Sequence, residues 1–134
     1  MRVTIDVSAA VEVVMGGRRQ KEIKKILYEA DWVIAPSLFI YEITNVMWKY
    51  HSYQNYPKEV VIRKLHYLYE MVDHFIASEK IFEEALSLSC KINHPAYDAM
   101  YLIVSRRKNS TLVTLDKKLI KISKEIDIPV ASIK

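Results

Sequence analysis

The sequence contains few of the residues that stabilise small secreted or repetitive proteins. Its single cysteine, Cys90, cannot form an internal disulfide. Cys90 follows an amphipathic run at residues 85–89, which predicts a buried thiol, and a chain without disulfides fits a reducing, cytoplasmic location. Because it has only two glycines and four prolines, the chain should be rich in regular structure, with no low-complexity segment.

Long apolar segments and targeting signals are also missing. The most apolar stretch, residues 32–48, is interrupted by Pro36 and Glu42 and is too short to span a bilayer. Met1 leads directly into a strand-like pattern, without the basic start and cleavage site of a signal peptide. We therefore expect no association with membranes.

Length and charge narrow the class of protein further. A chain of 134 residues fits one domain, residues 1–134, with a single core. Lys and Arg number 20 against 16 Asp and Glu, which gives a net charge of +4. If several acids are gathered in one place, the remaining surface is more basic than this total, which favours a polyanionic partner such as nucleic acid. A net charge of +4 is also compatible with a protein whose surface charge serves only to keep it soluble.

Predicted strands alternate with predicted helices along the chain. This order indicates right-handed βαβ crossovers and a central parallel sheet covered on both faces, a three-layer α/β/α fold. Ligands of such sheets bind beyond the carboxyl ends of the strands. The predicted strands are residues 1–6, 32–35, 72–76 and 111–115, with a short final strand at 129–132; the helices between them include one capped by Ser8 and one at 96–107.

Four acids stand alone in apolar surroundings. Asp6 and Asp116 end predicted strands, Asp98 lies near the start of an almost uncharged helix, and Glu42 is the single charge between Trp32 and Trp48. Each has an ordinary explanation, such as a helix cap or a solvated face. However, all four fall at the same end of the predicted sheet, so we expect one acidic site.

Clustered carboxylates repel one another, and a bound cation relieves that repulsion. Oxygen ligands select hard ions such as Mg²⁺ or Mn²⁺, whereas zinc usually recruits His or Cys, and the four histidines here have no ligand spacing. An ion held by acids can activate water and neutralise a phosphate in an in-line displacement. The residues therefore indicate phosphodiester hydrolysis.

Four segments resemble motifs of one family. IDVSAAV is similar to its first-strand Asp with a Ser two residues later, and HPAYDAMYLIVSRR to its most recognisable helix. PSLFIYEITNVMWK resembles its Pro, Glu and Asn helix, and TLVTLDKKL its closing strand. The family is that of the PIN-domain ribonucleases, in particular the VapC-type toxins of prokaryotic toxin–antitoxin pairs, and the likeness covers almost the whole chain.

The resemblance implies a metal-dependent endoribonuclease with the three-layer fold, a homodimer inhibited by a cognate antitoxin. It assigns the metal-binding and catalytic roles to the four lone acids, and supporting polar roles to Asn45 and Thr114. One departure concerns the residues that follow Asp116. Some relatives carry a further acid where this chain has Lys117, Lys118 and Leu119, which puts a second metal position in doubt.

Other residues have weaker signals. Ser8 and Thr114 have hydroxyls that could bond the acids, although capping is the plainer role. Arg106, Arg107 and Lys108 are candidates for RNA phosphates, or simply solvated charges at a helix end. The tyrosines at 50, 53 and 56 could stack on bases or pack in an interface, and we favour the interface.

Two other function classes also fit the pattern. A phosphatase or phospho-accepting domain places acids at the strand ends of a parallel sheet as well, with one Asp attacking phosphorus. A non-catalytic RNA-binding or scaffolding module could share the fold without the reaction. A covalent aspartyl-phosphate would identify the first class, and RNA binding without cleavage the second.

Overall fold

Four parallel strands form the centre of the molecule, which is described by a computed structural model of residues 1–134. The strand order is β3-β2-β1-β4. In the pairing, Val3 lies opposite Val33, Thr4 opposite Leu112, and Ala35 opposite Phe75. The strands are β1 (Arg2–Ile5), β2 (Trp32–Pro36), β3 (His74–Ile76) and β4 (Thr111–Val113).

Seven helices flank the sheet, which confirms the predicted three-layer α/β/α fold. The first four helices pack on one another, whereas the fifth packs against the sixth, which lies on β1, β2 and β4. A 3₁₀ turn, Ser78–Lys80, precedes the fifth. The helices are α1 (Val7–Val14), α2 (Gln20–Glu29), α3 (Leu38–Gln54), α4 (Lys58–Glu70), α5 (Phe82–Ile92), α6 (Ala96–Lys108) and α7 (Lys117–Glu125). None of them has the length and apolar character needed to cross a membrane.

The core explains why α6 carries almost no charge. Twenty-eight buried apolar side chains form one cluster, and α6 contributes Ala99 and every residue from Tyr101 to Val104 to it. Because α6 is covered around most of its circumference, a charged side chain in its centre would lose solvation without compensation. Only its two ends, at Asp98 and from Arg106 onward, carry charge.

Several sequence-based boundaries differ from the structure. Helix α3 continues through Gln54, so most of the predicted tyrosine-rich loop is helical, and it ends at Asn55 in a left-handed conformation. The predicted last strand reduces to one bridge between Leu112 and Val130. The Leu112 N–H donates to the Pro129 carbonyl and the Ala131 N–H to the Leu112 carbonyl, and Pro129 has no N–H with which to extend this ladder.

The predictions for Cys90 and Ser8 were wrong. Cys90 is exposed, because it lies two positions beyond Leu88 and so about 200° around α5 from the buried stripe. Ser8 lies inside α1, and Asp6 is the residue that caps this helix. A carboxylate at this position accepts hydrogen bonds from the free N–H groups of the first turn, as a serine hydroxyl would.

Three helices end at an asparagine with positive φ, and Asn109 (φ 51°) ends α6 where the chain turns into β4. We predict that Asn109→Val lowers the free energy of unfolding by about 1–2 kcal/mol, because a β-branched side chain is strained in this conformation. Asn109→Gly should be nearly neutral. Urea denaturation of both variants and the parent measures the difference. Equal stability of the Val and Gly variants would contradict this role.

Candidate active site

The most buried acid of the chain follows β1. Asp6 is 7% exposed and caps α1. Its Oδ1 accepts hydrogen bonds from the Ser8 hydroxyl (2.7 Å) and the Ala9 N–H (3.0 Å), while its Oδ2 accepts one from the Thr114 hydroxyl. Three donors therefore fix this carboxylate in one orientation.

Asp116 lies beside it, after β4. It is exposed and caps α7, and its Oδ1 accepts from the N–H groups of Lys118 (2.9 Å) and Leu119 (3.2 Å). Its own N–H donates to the Thr114 hydroxyl at 3.0 Å. The same hydroxyl thus contacts both Asp6 and Asp116, and it couples the ends of β1 and β4.

Ser8 makes a second connection between these strand ends. Its hydroxyl donates to Asp6 and accepts from the N–H of Leu115 at 3.0 Å. The predicted hydrogen bonds from Ser8 and Thr114 to an acid are therefore present. Their geometry shows that the hydroxyls arrange the acidic edge, which goes beyond capping a helix.

The other two acids come from helices. Glu42 lies in the second turn of α3, half-buried, and its Oε1 accepts a hydrogen bond from the Tyr101 hydroxyl at 2.6 Å. Asp98 lies in the first turn of α6, and its Oδ2 is 2.6 Å from Nε2 of His94. A carboxylate oxygen accepts, so His94 donates through Nε2.

The charges of these carboxylates act on one another in pairs. Burial raises the pKa of Asp6 to about 6, and the charge of Asp116 adds to the rise against three opposing hydrogen bonds. Burial also raises the pKa of Glu42, and the charges of Asp98 and Asp6 raise it further, while the Tyr101 hydrogen bond lowers it. The four acids that the sequence singled out are thus electrostatic neighbours.

No lysine or arginine neutralises these acids. The ion pairs of the chain are Met1 with Asp31, Arg107 with Glu84, and His94 with Asp98, so Lys and Arg pair with none of the four acids. In addition, Glu42 Oε2, Asp98 Oδ1 and Asp116 Oδ2 accept no hydrogen bond. Three of the four acids therefore each have one carboxylate oxygen without a hydrogen-bond donor.

The donor set fits a hydrated hard cation. No three His, Cys, Asp or Glu side chains lie close enough to enclose one ion directly. Mg²⁺ does not require such a cage, because it usually keeps several waters and binds one or two carboxylates together with substrate phosphate. Asp6, Glu42, Asp98 and Asp116 would therefore hold the ion partly through water.

The remaining sequence-based candidates lie outside this group. Asn45, one turn beyond Glu42 on α3, is exposed and makes no hydrogen bond. Lys108 is about 15 Å further along α6 than Asp98, at the opposite edge of the sheet, where its carbonyl accepts from Arg2 at 3.0 Å. Arg107 is paired with Glu84, and Arg106 lies one turn before Asn109 at the same helix end.

Sequence reasoning missed the two donors that hold the helical acids. His94 precedes Asp98 by four residues and Tyr101 follows it by three, which is the spacing of neighbours on one helical face. For His94 that spacing is the signal in the sequence, because its partner is Asp98 itself. Tyr101 has no such signal, since its partner Glu42 lies on α3.

Comparisons with known proteins agree with this geometry. The family model of the PIN domain matches residues 3–125. Ribonuclease VapC3 of Pyrobaculum aerophilum is 24% identical over 124 residues, which cover 89% of this chain and 92% of that protein. The crystal structure of PAE2754 from Pyrobaculum aerophilum has a TM-score of 0.65 at 22% identity, covering 90% of this chain and 86% of that one. This structural likeness shows a common fold.

The burial of Asp6 predicts an unusual dependence of stability on pH. Folding raises its pKa from 3.8 to about 6, so the folded state holds the proton more tightly and loses stability as the pH rises through that window. Ionised Asp6 then costs the metal-free protein about 3 kcal/mol near pH 7. We predict that Asp6→Asn stabilises the protein in chelator near pH 7 and that this gain largely disappears near pH 4.

Urea denaturation of parent and variant at both pH values, in chelator, measures this difference. Asp127→Asn is the control, because Asp127 is exposed, lies past the end of α7 and has a positive φ that Asn tolerates. A gain from Asp6→Asn that is equal at both pH values would show that the carboxylate is not destabilised by burial.

Proposed function

Because the chain belongs to the PIN-domain family, we propose that it is an endoribonuclease that hydrolyses RNA phosphodiester bonds with Mg²⁺ or Mn²⁺, and that it is the toxin of a toxin–antitoxin pair. One observation carries the proposal. Asp6 and Asp116 follow the adjacent strands β1 and β4, the charges of Asp98 and Asp6 act on Glu42, and Lys and Arg neutralise none of the four acids. Such a site attracts a divalent cation.

A divalent ion, when bound, supplies the chemistry of activating water and stabilising the phosphate charge and the leaving oxygen. The residues of the chain hold the carboxylates in position. Ser8, Ala9 and Thr114 hold Asp6 rigidly, and Asp116 is held by the first turn of α7. Because these contacts are made within the protein, little reorganisation is needed when substrate arrives, which favours catalysis.

The two alternative classes receive less support from the site. A phospho-accepting aspartate is usually supported by a lysine beside the phosphate, but no lysine pairs with any of the four acids. A non-catalytic RNA-binding module would have no need of destabilising ionised acids at one edge. Both classes remain outcomes of the experiment below.

The partners are proposed on similar grounds. An RNA substrate fits the net charge of +4, and a cognate antitoxin follows from the likeness to VapC-type toxins. A homodimer is supported by large apolar side chains that remain exposed on α3 and α4. On these two helices Met47 is buried in the core and Tyr50 packs on Tyr56. In contrast, the side chains of Trp48, Tyr53, Tyr67 and Tyr69 are about half exposed or more.

Removing single charges from the site tests the nuclease. We predict that Asp6→Asn, Glu42→Gln, Asp98→Asn and Asp116→Asn each lower cleavage at least a hundredfold, because each removes charge from the cation site. The measurement is cleavage of a mixed RNA pool with Mg²⁺, Mn²⁺ or chelator, followed by mapping of the ends. Asp127→Asn should cleave as the parent does.

Different results identify the other classes. RNA binding that is independent of metal, without new ends, would support a non-catalytic module. Phosphate covalently attached to an aspartate would support the phospho-accepting class. If two of the four acid variants retained parental cleavage, the proposal of one shared site would be wrong.

The exposed aromatic surface predicts self-association. We predict a dimer in light scattering at tens of micromolar, a concentration well above the dissociation constants of stable dimers. Trp48→Glu should shift it toward monomer, because Trp48 is 51% exposed and packs edge-on against Tyr53 in that surface. Tyr28→Glu is the control, since Tyr28 is 91% exposed on α2. A monomeric parent would exclude the dimer.

A further inference from the structure

Two side chains that touch the acidic site have no role in the mechanism described so far. The Tyr101 hydroxyl donates to Glu42 at 2.6 Å, and His94 Nε2 donates to Asp98 at 2.6 Å. Tyr101 is 2% exposed, and the His94 side chain is 13% exposed. Donors buried to this degree are held in place by packing and are not free to exchange with water.

Both donors come from the same stretch of chain as Asp98. His94 lies two residues before α6, and Tyr101 lies in its second turn, so the three residues are four and three positions apart. Asp98 and Tyr101 share one side of α6, and His94 precedes the helix across Pro95. One short stretch of chain therefore holds one acid and also provides the donors for two.

Each donor occupies one oxygen of its carboxylate and leaves the other. Tyr101 bonds Glu42 Oε1, and His94 bonds Asp98 Oδ2, while Glu42 Oε2 and Asp98 Oδ1 accept no hydrogen bond. Since Glu42 and Asp98 repel each other, two unrestrained carboxylates would turn apart into solvent. The two hydrogen bonds oppose that movement.

We propose that His94 and Tyr101 are positioning residues that hold Asp98 and Glu42 with one oxygen each directed to the cation, so that the site binds metal with little rearrangement. The inference rests on the proposed function, because it concerns the same acids. Its physical basis is preorganisation: orientation of a ligand carboxylate by a second hydrogen-bonding group typically changes metal affinity by about 10–100-fold.

A purely structural role is the competing explanation. Tyr101 would then only satisfy its own buried hydroxyl, and His94 would only cover the start of α6. In that case their removal changes the stability of the fold and leaves the affinity for metal unchanged. Metal affinity therefore separates the two explanations, since stability alone does not.

The experiment measures Mn²⁺ binding to the full chain by electron paramagnetic resonance of free Mn²⁺, without RNA. The variants are Tyr101→Phe, which removes only the hydroxyl, and His94→Ala, which removes the donor. His94→Gln restores an N–H at the corresponding distance from the backbone. The controls are Tyr28→Phe and His51→Ala, because Tyr28 is 91% exposed on α2 and His51 bonds the Tyr56 carbonyl at the opposite end of α3 from Glu42.

We expect Tyr101→Phe and His94→Ala each to weaken Mn²⁺ binding about tenfold or more, with His94→Gln close to the parent and both controls unchanged. RNA cleavage should show the same order, and saturating Mn²⁺ should recover much of the rate. Thermal melts show whether each variant folds. If Tyr101→Phe does not fold, the comparison of the parent with His94→Ala and His94→Gln tests the positioning role.

Two negative results have distinct meanings. If the parent binds Mn²⁺ and cleaves RNA while the folded variants match it in affinity, the positioning role is overturned and the nuclease remains. If the parent neither binds Mn²⁺ nor cleaves RNA, the proposed function fails first, and the positioning role fails with it.

Discussion

Repulsion among carboxylates at one edge of a parallel sheet is the constraint from which most features of this structure follow. Parallel strands bring their carboxyl ends together, so acids that follow β1 and β4 cannot avoid each other. Helices α3 and α6 add two more acids to the same edge. The fold therefore brings negative charges near one another and buries part of that charge, at Asp6 and Glu42, as functional sites often do.

Donors other than lysine and arginine hold these acids in place. Ser8, Thr114 and Tyr101 donate through hydroxyls, and His94 through a ring nitrogen. A lysine at any of these positions would remove the repulsion, but it would also compete with a cation for the same oxygens. Hydroxyl donors stabilise the ionised acids only modestly, so most of the negative charge remains.

The sequence identified candidate site residues where a charged side chain interrupts an apolar run. Asp6, Glu42, Asp98 and Asp116 could be recognised because each interrupts an apolar run, and the alternation of strands and helices predicted the layers. The sequence could not predict Tyr101, since its role depends on how closely α3 approaches α6. The prediction that Cys90 is buried was wrong for a related reason. Nearby residues of α5 are buried, but the Cys90 side chain lies on the side of the helix that faces water.

The buried position of α6 also bears on how the site behaves when the protein opens locally. Residues from Tyr101 to Ser105 are at most 2% exposed, so their amides should exchange hydrogen for deuterium only through nearly global unfolding. Asp98, in the first turn, lies at the boundary of that protected unit, where N–H groups have no partner within the helix. Asp98 is thus anchored at the edge of a unit that should exchange slowly, and it should keep its place when the outer helices open partially.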